Sequence, residues 1–461
     1  MIDFPVYIPI ETKSREFDGK LLIAAYLLNA GFRDVYLGTR MGILYETLYN
    51  RPGIVLFKSI SRQQETYYKQ LKAKGFILAL LHVEGGIHYR ETKEIMQSYY
   101  PQDLLDYIDI NFVFGQQVKK DIALYCAPEH LKKIVVSGEP RFELLKPKFA
   151  PFFRNQVQAL QNLYGDFILI NTNFSAGNSV TGKSSLREFI LAEPTYSDES
   201  KRLYMMKMDL LEKVVEHYVS AIKTLSTRFA EVNFIVRPHP SESEIVYRTT
   251  FKDLKNVFVV KEGNVAEWII AAKGIIHYDC TTGMEAVLAD KPVISYLPIK
   301  SEEILAWLPV ELSKVAADEE TLVSLVNEII LGTFSNPLSI ELKSIWKNTL
   351  YNTDEDSAAI ICYSLANINH PEPQYSSYYR FKLILARLFS YAKAGKKSLV
   401  RSFHTILPNN RTEYLNKDLQ IASISIIEVR NKLATIKEIM KYTGQEKVRK
   451  VGYGVIKIYR K

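Results

Sequence analysis

Two short loops carry residue types that could bind and transfer phosphate-linked groups. The loop RPHP at 237–240 follows the apolar run 233–236, and the loop DCTTG at 279–283 follows the apolar run 274–277. Each run is short and β-rich, which is typical of a buried parallel strand. Ligands of open α/β sheets bind beyond the carboxyl ends of the strands, so both loops are candidates for one binding site.

His239 stands between Pro238 and Pro240. Each proline fixes its own φ, so the imidazole is held rigidly at the strand end. A rigid imidazole can donate a hydrogen bond to a phosphate or act as a general acid, although it could also serve only to stabilise a turn. The Arg237 guanidinium could hold a phosphate through two hydrogen bonds or form a structural ion pair.

Thr281, Thr282 and Gly283 open a helical pattern that continues through Glu285. Simple N-capping requires one hydroxyl, so the threonine pair exceeds that need. Hydroxyls and free amides at the positive end of a helix are suited to a phosphate. Glu285 could accept hydrogen bonds from ribose hydroxyls or could merely interact with the helix dipole.

Further polar residues follow other predicted strands. Asn171 and Asn173 end the apolar run 167–171 and could line the same site. In the first half of the chain, the run 77–81 leads into HVEGGIH, where Glu84 is a candidate general base for an acceptor hydroxyl. The alternative for Glu84 is an exposed glutamate in a turn.

Lys13 and Arg15 follow the first predicted strand, 6–10. Cationic side chains there could bind the carboxylate of an acidic donor or a group of the acceptor. A solvated helix start explains the two residues equally well, and this alternative stays open.

Two stretches match known phosphate-binding or metal-binding motifs, but their sequence context favours a structural role. The stretch GNSVTGKS at 177–184 matches the P-loop pattern letter for letter, but a complete α/β domain precedes it and the following helix is cut short near Pro194. The sequence DED at 354–356 matches a metal-binding D-x-D motif, yet it lies directly before a predicted helix, where acidic residues favour the helix dipole. We expect no metal site.

Alternating strands and helices predict an α/β protein with parallel sheets. A chain of 461 residues is too long for one ordinary core. Residues 1–150 are expected to form one domain and 151–345 a second, with helices over 346–375 and a separate basic extension over 376–461.

The charge is concentrated at the carboxyl end. Residues 376–461 contain nineteen basic and five acidic side chains, a net charge of +14, so residues 1–375 carry −6 of the total +8. A basic amphipathic helix is predicted over 378–397, either on an anionic membrane surface or packed against the protein core. A nucleic-acid partner is not expected, because no nucleic-acid-binding motif is present.

The remaining composition favours a cytoplasmic protein. The amino terminus lacks a signal-peptide pattern, and no apolar run is long enough to span a membrane. The cysteines Cys126, Cys280 and Cys362 are widely spaced and odd in number, which suits a reducing compartment. We therefore predict a cytoplasmic location, with peripheral attachment to the inner face of the cell membrane as one role for the basic extension.

The segment from 231 to 296 resembles the nucleotide-binding half of GT-B glycosyltransferases of bacterial surface polysaccharide biosynthesis. RPHP resembles the HP motif of CMP-sugar transferases of the sialyl and Kdo type, and CTTGMEAVLADKPVISY resembles their phosphate-binding loop with the helix and strand that follow. The resemblance is moderate in the first half and absent after about residue 375. It implies two Rossmann-like domains facing a cleft.

The resemblance implies a metal-independent glycosyltransferase without a cofactor. The expected donor is a nucleotide sugar, CMP-linked Kdo or another 2-keto acid sugar, and the expected acceptor is a growing polysaccharide or a lipid-linked sugar. A CDP-alcohol-dependent polyol phosphate transferase of teichoic-acid type is the main alternative. A sugar-nucleotide epimerase and a non-catalytic scaffold are two others.

Overall fold

The computed structural model describes residues 1–82, 92–193, 198–336, 340–350, 356–370, 384, 424–452 and 454–460. The chain divides into two compact units. Unit 1 comprises Met1–Gly86, Thr92–Phe152 and Lys347–Lys461, and unit 2 contains Phe153–Trp346.

Fourteen strands lie within the described residues. They are β1 (Val6–Ile10), β2 (Asp34–Thr39), β3 (Ile54–Phe57), β4 (Ile77–Leu81), β5 (Ile110–Val113), β6 (Ile134–Val136), β7 (Phe167–Asn171), β8 (Asn233–Arg237), β9 (Val257–Val259), β10 (Gly274–His277), β11 (Val293–Tyr296), β12 (Lys314–Ala316), β13 (Glu446–Gly452) and β14 (Val455–Arg460).

The α-helices of the same residues fall mostly between the strands. They are α1 (Lys13–Asn29), α2 (Arg40–Tyr49), α3 (Glu65–Ala73), α4 (Thr92–Tyr99), α5 (Gln102–Leu105), α6 (Gln116–Ala123), α7 (Pro128–Leu131), α8 (Pro140–Glu143), α9 (Ala150–Tyr164), α10 (Lys183–Ala192), α11 (Asp198–Arg228), α12 (Ile245–Phe251), α13 (Val265–Ala271), α14 (Thr281–Leu288), α15 (Trp307–Glu311), α16 (Glu319–Leu331), α17 (Ile340–Thr349), α18 (Ser357–Asn367) and α19 (Ile426–Ile439). Short 3₁₀ helices occur at Arg62–Gln64 and Pro147–Phe149.

The sheet of unit 1 has the order β13-β14-β2-β1-β3-β4-β5-β6. Strands β1 to β6 are parallel, and β1 is buried along its whole length because helices cover both faces. The first connection leads from β1 to β2 on one side, and the next returns past β1 to β3 on the other side. The strand order therefore reverses between β1 and β3.

The carboxyl end of the chain belongs to this sheet. Strand β14 pairs antiparallel with β2, placing Ile458 opposite Val35, and β13 then forms the sheet edge. Helix α19 packs on α1, where Lys432 forms an ion pair with the buried Asp18 at 2.6 Å. A separate extension over 376–461 was expected, and the pairing of β13 and β14 with the sheet of unit 1 corrects this expectation. The predicted helix over 378–397 lies outside the described residues except for Ile384.

The hairpin was missed because its basic side chains hide a strand pattern. In β14, Val455, Ile456 and Ile458 are buried, while Lys457 pairs with the buried Asp34 at 2.8 Å. The net charge of a segment reflects its solvent-exposed side chains. It does not show that the residues between them point into the core, as they do in alternation along a strand.

The sheet of unit 2 is entirely parallel, with the order β12-β11-β10-β7-β8-β9. Ile168 and Ile170 pack into the core on one face, and Phe167 and Leu169 pack into the core on the other. Counted from β7, this is the 3-2-1-4-5-6 order of the Rossmann fold. The predicted α/β class with two Rossmann-like sheets is confirmed.

The described part of the chain holds no helix whose length and hydropathy together suit a membrane span.

Candidate functional site

Three neighbouring strands of unit 2 end at the same level. Asn171 at the end of β7 lies opposite Arg237 of β8 on one side and His277 of β10 on the other. All three side chains share the sheet face of Leu169, Ile235 and Ile275, because side chains alternate along a strand. The loops that follow these strands therefore start from one edge of the sheet.

The strand order makes this edge a natural ligand site. The chain proceeds from β7 through β8 to β9 on one side of the sheet, and from β10 to β12 on the other. The order reverses between β7 and β10, and doubly wound sheets bind their ligands at such a switch point. Asn171 and the loop after His277 flank this position.

The loop after β8 holds His239 in a defined orientation. Nδ1 of His239 accepts a hydrogen bond from the Ser241 N–H at 3.2 Å. A neutral imidazole whose Nδ1 is an acceptor carries its proton on Nε2. His239 is only partly buried, so the loop presents an imidazole with Nε2 as its donor.

The loop after β10 leads directly into α14. Thr281 and Thr282 are the first two residues of this helix, and the preceding Cys280 makes no side-chain cap. The Thr282 hydroxyl is buried and forms no hydrogen bond within the described residues. The Cys280 thiol lies near it, but a thiol is a weak hydrogen-bonding partner. The start of α14 thus contains a hydroxyl whose hydrogen-bonding capacity is unused.

Gly283 lies against His277 and allows α14 to approach the sheet. A Cβ atom at this position would lie 2.4 Å from Nε2 of His277. His277 is fully buried: its Nδ1 accepts the Cys280 N–H at 3.2 Å, and its Nε2 contacts the Ser313 hydroxyl at 2.9 Å. Burial lowers the pKa of His277 to about 3, so this histidine is neutral and sets the geometry of the loop. Gly283 permits close packing.

Asn171 provides a second unsatisfied polar group at the switch point. Its side chain is 4% exposed, and its amide nitrogen makes no hydrogen bond within the described residues. A buried amide without a partner costs free energy, which a ligand acceptor would recover. Asn173 lies two residues further along the same loop and is partly exposed. Glu285 is buried in the first turns of α14.

Arg237 is used differently from the phosphate ligand that was expected. Its guanidinium donates to the backbone carbonyl oxygens of Glu262 and Gly263 and lies 4.9 Å from the Trp268 ring centroid. Burial lowers its pKa to about 10. The expectation is therefore corrected, because these contacts fasten the end of β8 to the loop before α13.

Glu242 was overlooked in the sequence, although it is the central residue of the His239 loop. It is fully buried, and its carboxylate accepts hydrogen bonds from Thr172 Oγ1 at 2.7 Å, from the Phe174 N–H at 3.2 Å and from the Tyr247 hydroxyl. Burial raises the pKa of this carboxyl above its ordinary value, against the opposing effect of those donors. Glu242 thereby joins the loop after β7 to the loop after β8.

A signal for Glu242 was present in the sequence. A charged residue only three positions after a proline-bracketed histidine is well placed to accept hydrogen bonds from nearby backbone amides. Its more distant partners, Thr172 and Tyr247, could not be identified in this way.

The candidate residues of unit 1 are Lys13, Arg15 and Glu84. Lys13 forms an ion pair with Glu428 of α19 at 2.9 Å, and its role toward a donor carboxylate or an acceptor stays a prediction. Arg15 lines a small cavity of about 10 Å³ together with Glu139 and Arg141. Glu84 lies outside the described residues.

The P-loop-like stretch has a structural role. Lys183 begins α10, where it forms ion pairs with Glu212 and Asp209 of α11. The loop before it is tied to the His239 loop, because the Val180 N–H donates to the Ser241 carbonyl oxygen at 3.2 Å. A lysine paired with two carboxylates is poorly placed to hold a nucleotide phosphate.

Of the D-x-D motif, Asp354 and Glu355 lie outside the described residues. Asp356 precedes α18 and forms ion pairs with Lys148 at 2.5 Å and Lys146 at 3.5 Å. These contacts support the structural interpretation of Asp356. Within the described ranges, no cluster of three His, Cys, Asp or Glu side chains is arranged for a metal ion.

A scan against protein-family models gives no match, and a search of curated proteins gives none either. Among solved structures, the UDP-GlcNAc 2-epimerase of Methanocaldococcus jannaschii is 13% identical, with a TM-score of 0.49, over 78% of this chain and 99% of that chain.

Two further solved structures show a similar degree of likeness. The UDP-GlcNAc 2-epimerase of Neisseria meningitidis is 11% identical, with a TM-score of 0.47, over 80% of this chain and 100% of that chain. The wall teichoic acid polymerase TagF is 9% identical, with a TM-score of 0.48, over 79% and 88% of the two chains. Identities this low concern the fold and carry no assignment of activity.

Proposed function

We propose that unit 2 binds the nucleotide part of an activated sugar at the carboxyl ends of β7, β8 and β10. The observation that carries this proposal is the presence of unused hydrogen-bonding groups, the Asn171 amide and the Thr282 hydroxyl, beside the switch point of a Rossmann-ordered sheet. His239 follows the strand next to Asn171.

The chemistry of these groups suits a phosphate. The Asn171 amide, the Thr282 hydroxyl and Nε2 of His239 can all donate hydrogen bonds, and phosphate oxygens accept them. The first amides of α14 and its positive dipole end add to the same preference. Glu285, an acceptor, is the proposed partner of ribose hydroxyls.

The proposed reaction is glycosyl transfer from a nucleotide donor to a polysaccharide or lipid-linked acceptor. The resemblance of RPHP at 237–240 to the HP motif of CMP-sugar transferases supports a CMP-linked donor, Kdo or a related 2-keto acid sugar. The acceptor oxygen bonds to the anomeric carbon while the bond from that carbon to the phosphate oxygen breaks. The electron pair remains on the phosphate, and His239 stabilises the developing charge by hydrogen bonding.

We assign Glu84 as the base that takes the proton of the acceptor hydroxyl. Glu84→Gln should lower turnover about a hundredfold or more while leaving nucleotide affinity unchanged. Equal losses of turnover and affinity would instead make Glu84 a binding residue.

Nucleotide binding is tested by calorimetry and thermal denaturation with CMP, CDP and UDP. A ligand at about 100 times its Kd stabilises the native state by about 2.7 kcal/mol. We expect CMP to stabilise the protein and His239→Ala or Thr282→Val to abolish the effect. His217→Ala, at an exposed position of α11, serves as the control.

The three nucleotides distinguish the proposed function from its alternatives. Stabilisation by CDP in preference to CMP would favour a CDP-alcohol-dependent polyol phosphate transferase. Stabilisation by UDP alone would reject the CMP-linked donor. No effect of any nucleotide on the native protein would overturn the assignment of unit 2 as the nucleotide site.

A further inference from the structure

A second cavity lies within unit 1, at the carboxyl ends of β1 and β3. Its volume is about 210 Å³, and its lining includes Pro9 and Glu11 from the end of β1 and Phe57, Lys58 and Ser59 from the end of β3. Helix α2 supplies the opposite wall. None of these residues belongs to the proposed nucleotide site of unit 2.

The position of the cavity in the sheet favours ligand binding. The strand order of unit 1 reverses between β1 and β3, so the cavity occupies the switch point of this sheet. Doubly wound sheets bind small ligands at this place because the helices that leave the two strands pass to opposite faces and open a crevice.

The interior of the cavity is apolar. Phe57 and Tyr67 form a corner, with ring centroids 6.1 Å apart and planes at 81°, and Val55 and Leu44 complete the surface. The Tyr67 hydroxyl is hydrogen-bonded to Thr47 Oγ1 at 2.6 Å. The tyrosine therefore offers its ring to the cavity while its polar atom is satisfied elsewhere.

The rim of the cavity carries two cationic side chains, Lys58 and Arg40. The charge of Lys58 is neutralised by Glu11, 2.6 Å away, and Lys58 also lies 3.6 Å from Glu16. Arg40 is exposed, and its side chain makes no hydrogen bond or ion pair with any described residue. A guanidinium presents a planar fork of donors that matches a carboxylate or a phosphate.

Volume limits the size of the ligand. An apolar cavity of about 150 Å³ holds a benzene molecule, so 210 Å³ accommodates one ring or a short chain with a small substituent. We propose that this cavity binds a small organic anion, whose monocyclic or short-chain apolar body contacts Phe57 and Tyr67 and whose carboxylate or phosphate pairs with Arg40. This inference does not depend on the proposed function of unit 2.

The proposal is tested by ligand-detected NMR and calorimetry on the full chain. Phenyl phosphate and 3-phenylpropionate carry both an anion and a ring, benzyl alcohol carries the ring alone, and inorganic phosphate carries the anion alone. We expect the first two to bind at least tenfold more tightly than the last two. If only one of the two ring-bearing anions binds, the head group is thereby identified as phosphate or carboxylate.

Variants assign the binding to this cavity. Arg40→Gln should weaken the binding of phenyl phosphate at least tenfold, and Arg40→Lys should weaken it less. Arg33→Gln is the matched control, because Arg33 precedes the opposite end of β2. Met41→Trp, at an exposed position of the lining, should block entry without removing charge.

Three results would overturn the proposal. Equal binding of benzyl alcohol and phenyl phosphate would show that Arg40 contributes nothing. Equal binding of inorganic phosphate and phenyl phosphate would show only an ion on the protein surface. Unchanged affinity for phenyl phosphate in both Arg40→Gln and Met41→Trp would show that the ligand binds outside this cavity. Thermal denaturation of each variant shows whether it is folded, so that a loss of ligand binding can be distinguished from unfolding.

Discussion

His239 and Glu242 hold each other through two reciprocal hydrogen bonds. The His239 N–H donates to Oε2 of Glu242 at 3.3 Å, and the Glu242 N–H donates to the His239 carbonyl oxygen at 2.8 Å. Because the Glu242 carboxylate also accepts from Thr172 and Phe174, the orientation of the imidazole depends on the loop after β7.

We expect Glu242→Ala to destabilise unit 2 by about 3 kcal/mol, because several buried donors lose their acceptor. CMP affinity should fall as well, although Glu242 is not proposed to touch the ligand. Urea denaturation and calorimetry measure the two effects. The control is Glu244→Ala, which removes a half-exposed ion pair with Arg248 and should cost at most about 1 kcal/mol. Unchanged CMP affinity in a folded Glu242→Ala variant would show that the His239 loop is ordered without it.

Gly283→Ala should destabilise the protein by about 1–3 kcal/mol, because the new methyl group overlaps the His277 ring. Replacing His277 by alanine removes the obstacle. A double-mutant cycle should therefore show a smaller cost for Gly283→Ala in the His277→Ala background. Additive costs would mean that the strain has another origin.

Glu143 should make stability depend on pH. Burial raises its pKa to about 7, while the Ala358 N–H, which donates to it at 2.8 Å, lowers it in part. The folded state thus retains a proton that the unfolded state loses above about pH 4.5, so this contribution is complete below pH 4.5 and disappears as pH rises through 7.

Glu143→Gln keeps an acceptor for Ala358 but cannot ionise. Relative to the natural chain, the variant should gain stability between pH 5 and pH 8, by an upper limit of about 3 kcal/mol. Urea denaturation at the two pH values measures the difference, and Glu129→Gln, at an exposed position, is the control. A constant difference at both pH values would contradict the assignment.

Removing residues 424–461 should make the protein aggregate or fail to fold. The truncation uncovers the backbone of β2 and the apolar surface that α19 and β14 cover. Solubility and urea denaturation report the outcome, with Lys447→Ala on the exposed edge strand as the control. A soluble truncated protein of unchanged stability would show that the hairpin is dispensable. The proposed contact of the basic residues with anionic membranes is tested by sedimentation of the full chain with anionic vesicles.

The α/β class and the position of several strands follow from local sequence patterns. Short apolar runs bounded by Gly, Pro and polar residues predicted β1, β4, β7 and β10 at the bounds observed. Local patterns suffice here because a parallel strand is buried on both faces, so its hydrophobicity is visible without knowledge of its neighbours. The loops with His239 and Thr282 were identified for the same reason, since they interrupt such runs abruptly.

The contacts of the polar residues, in contrast, depend on how distant segments pack. Lys13 pairs with Glu428, 415 positions away, and Arg237 is occupied by the loop before α13. No local pattern indicates which charges meet or which are left without a partner. The C-terminal hairpin was concealed likewise, because its placement depends on the free edge of β2, a property of the assembled sheet. Whether a polar side chain forms a structural contact or is available to a ligand depends on its burial. Burial is established only when distant segments of the chain pack together.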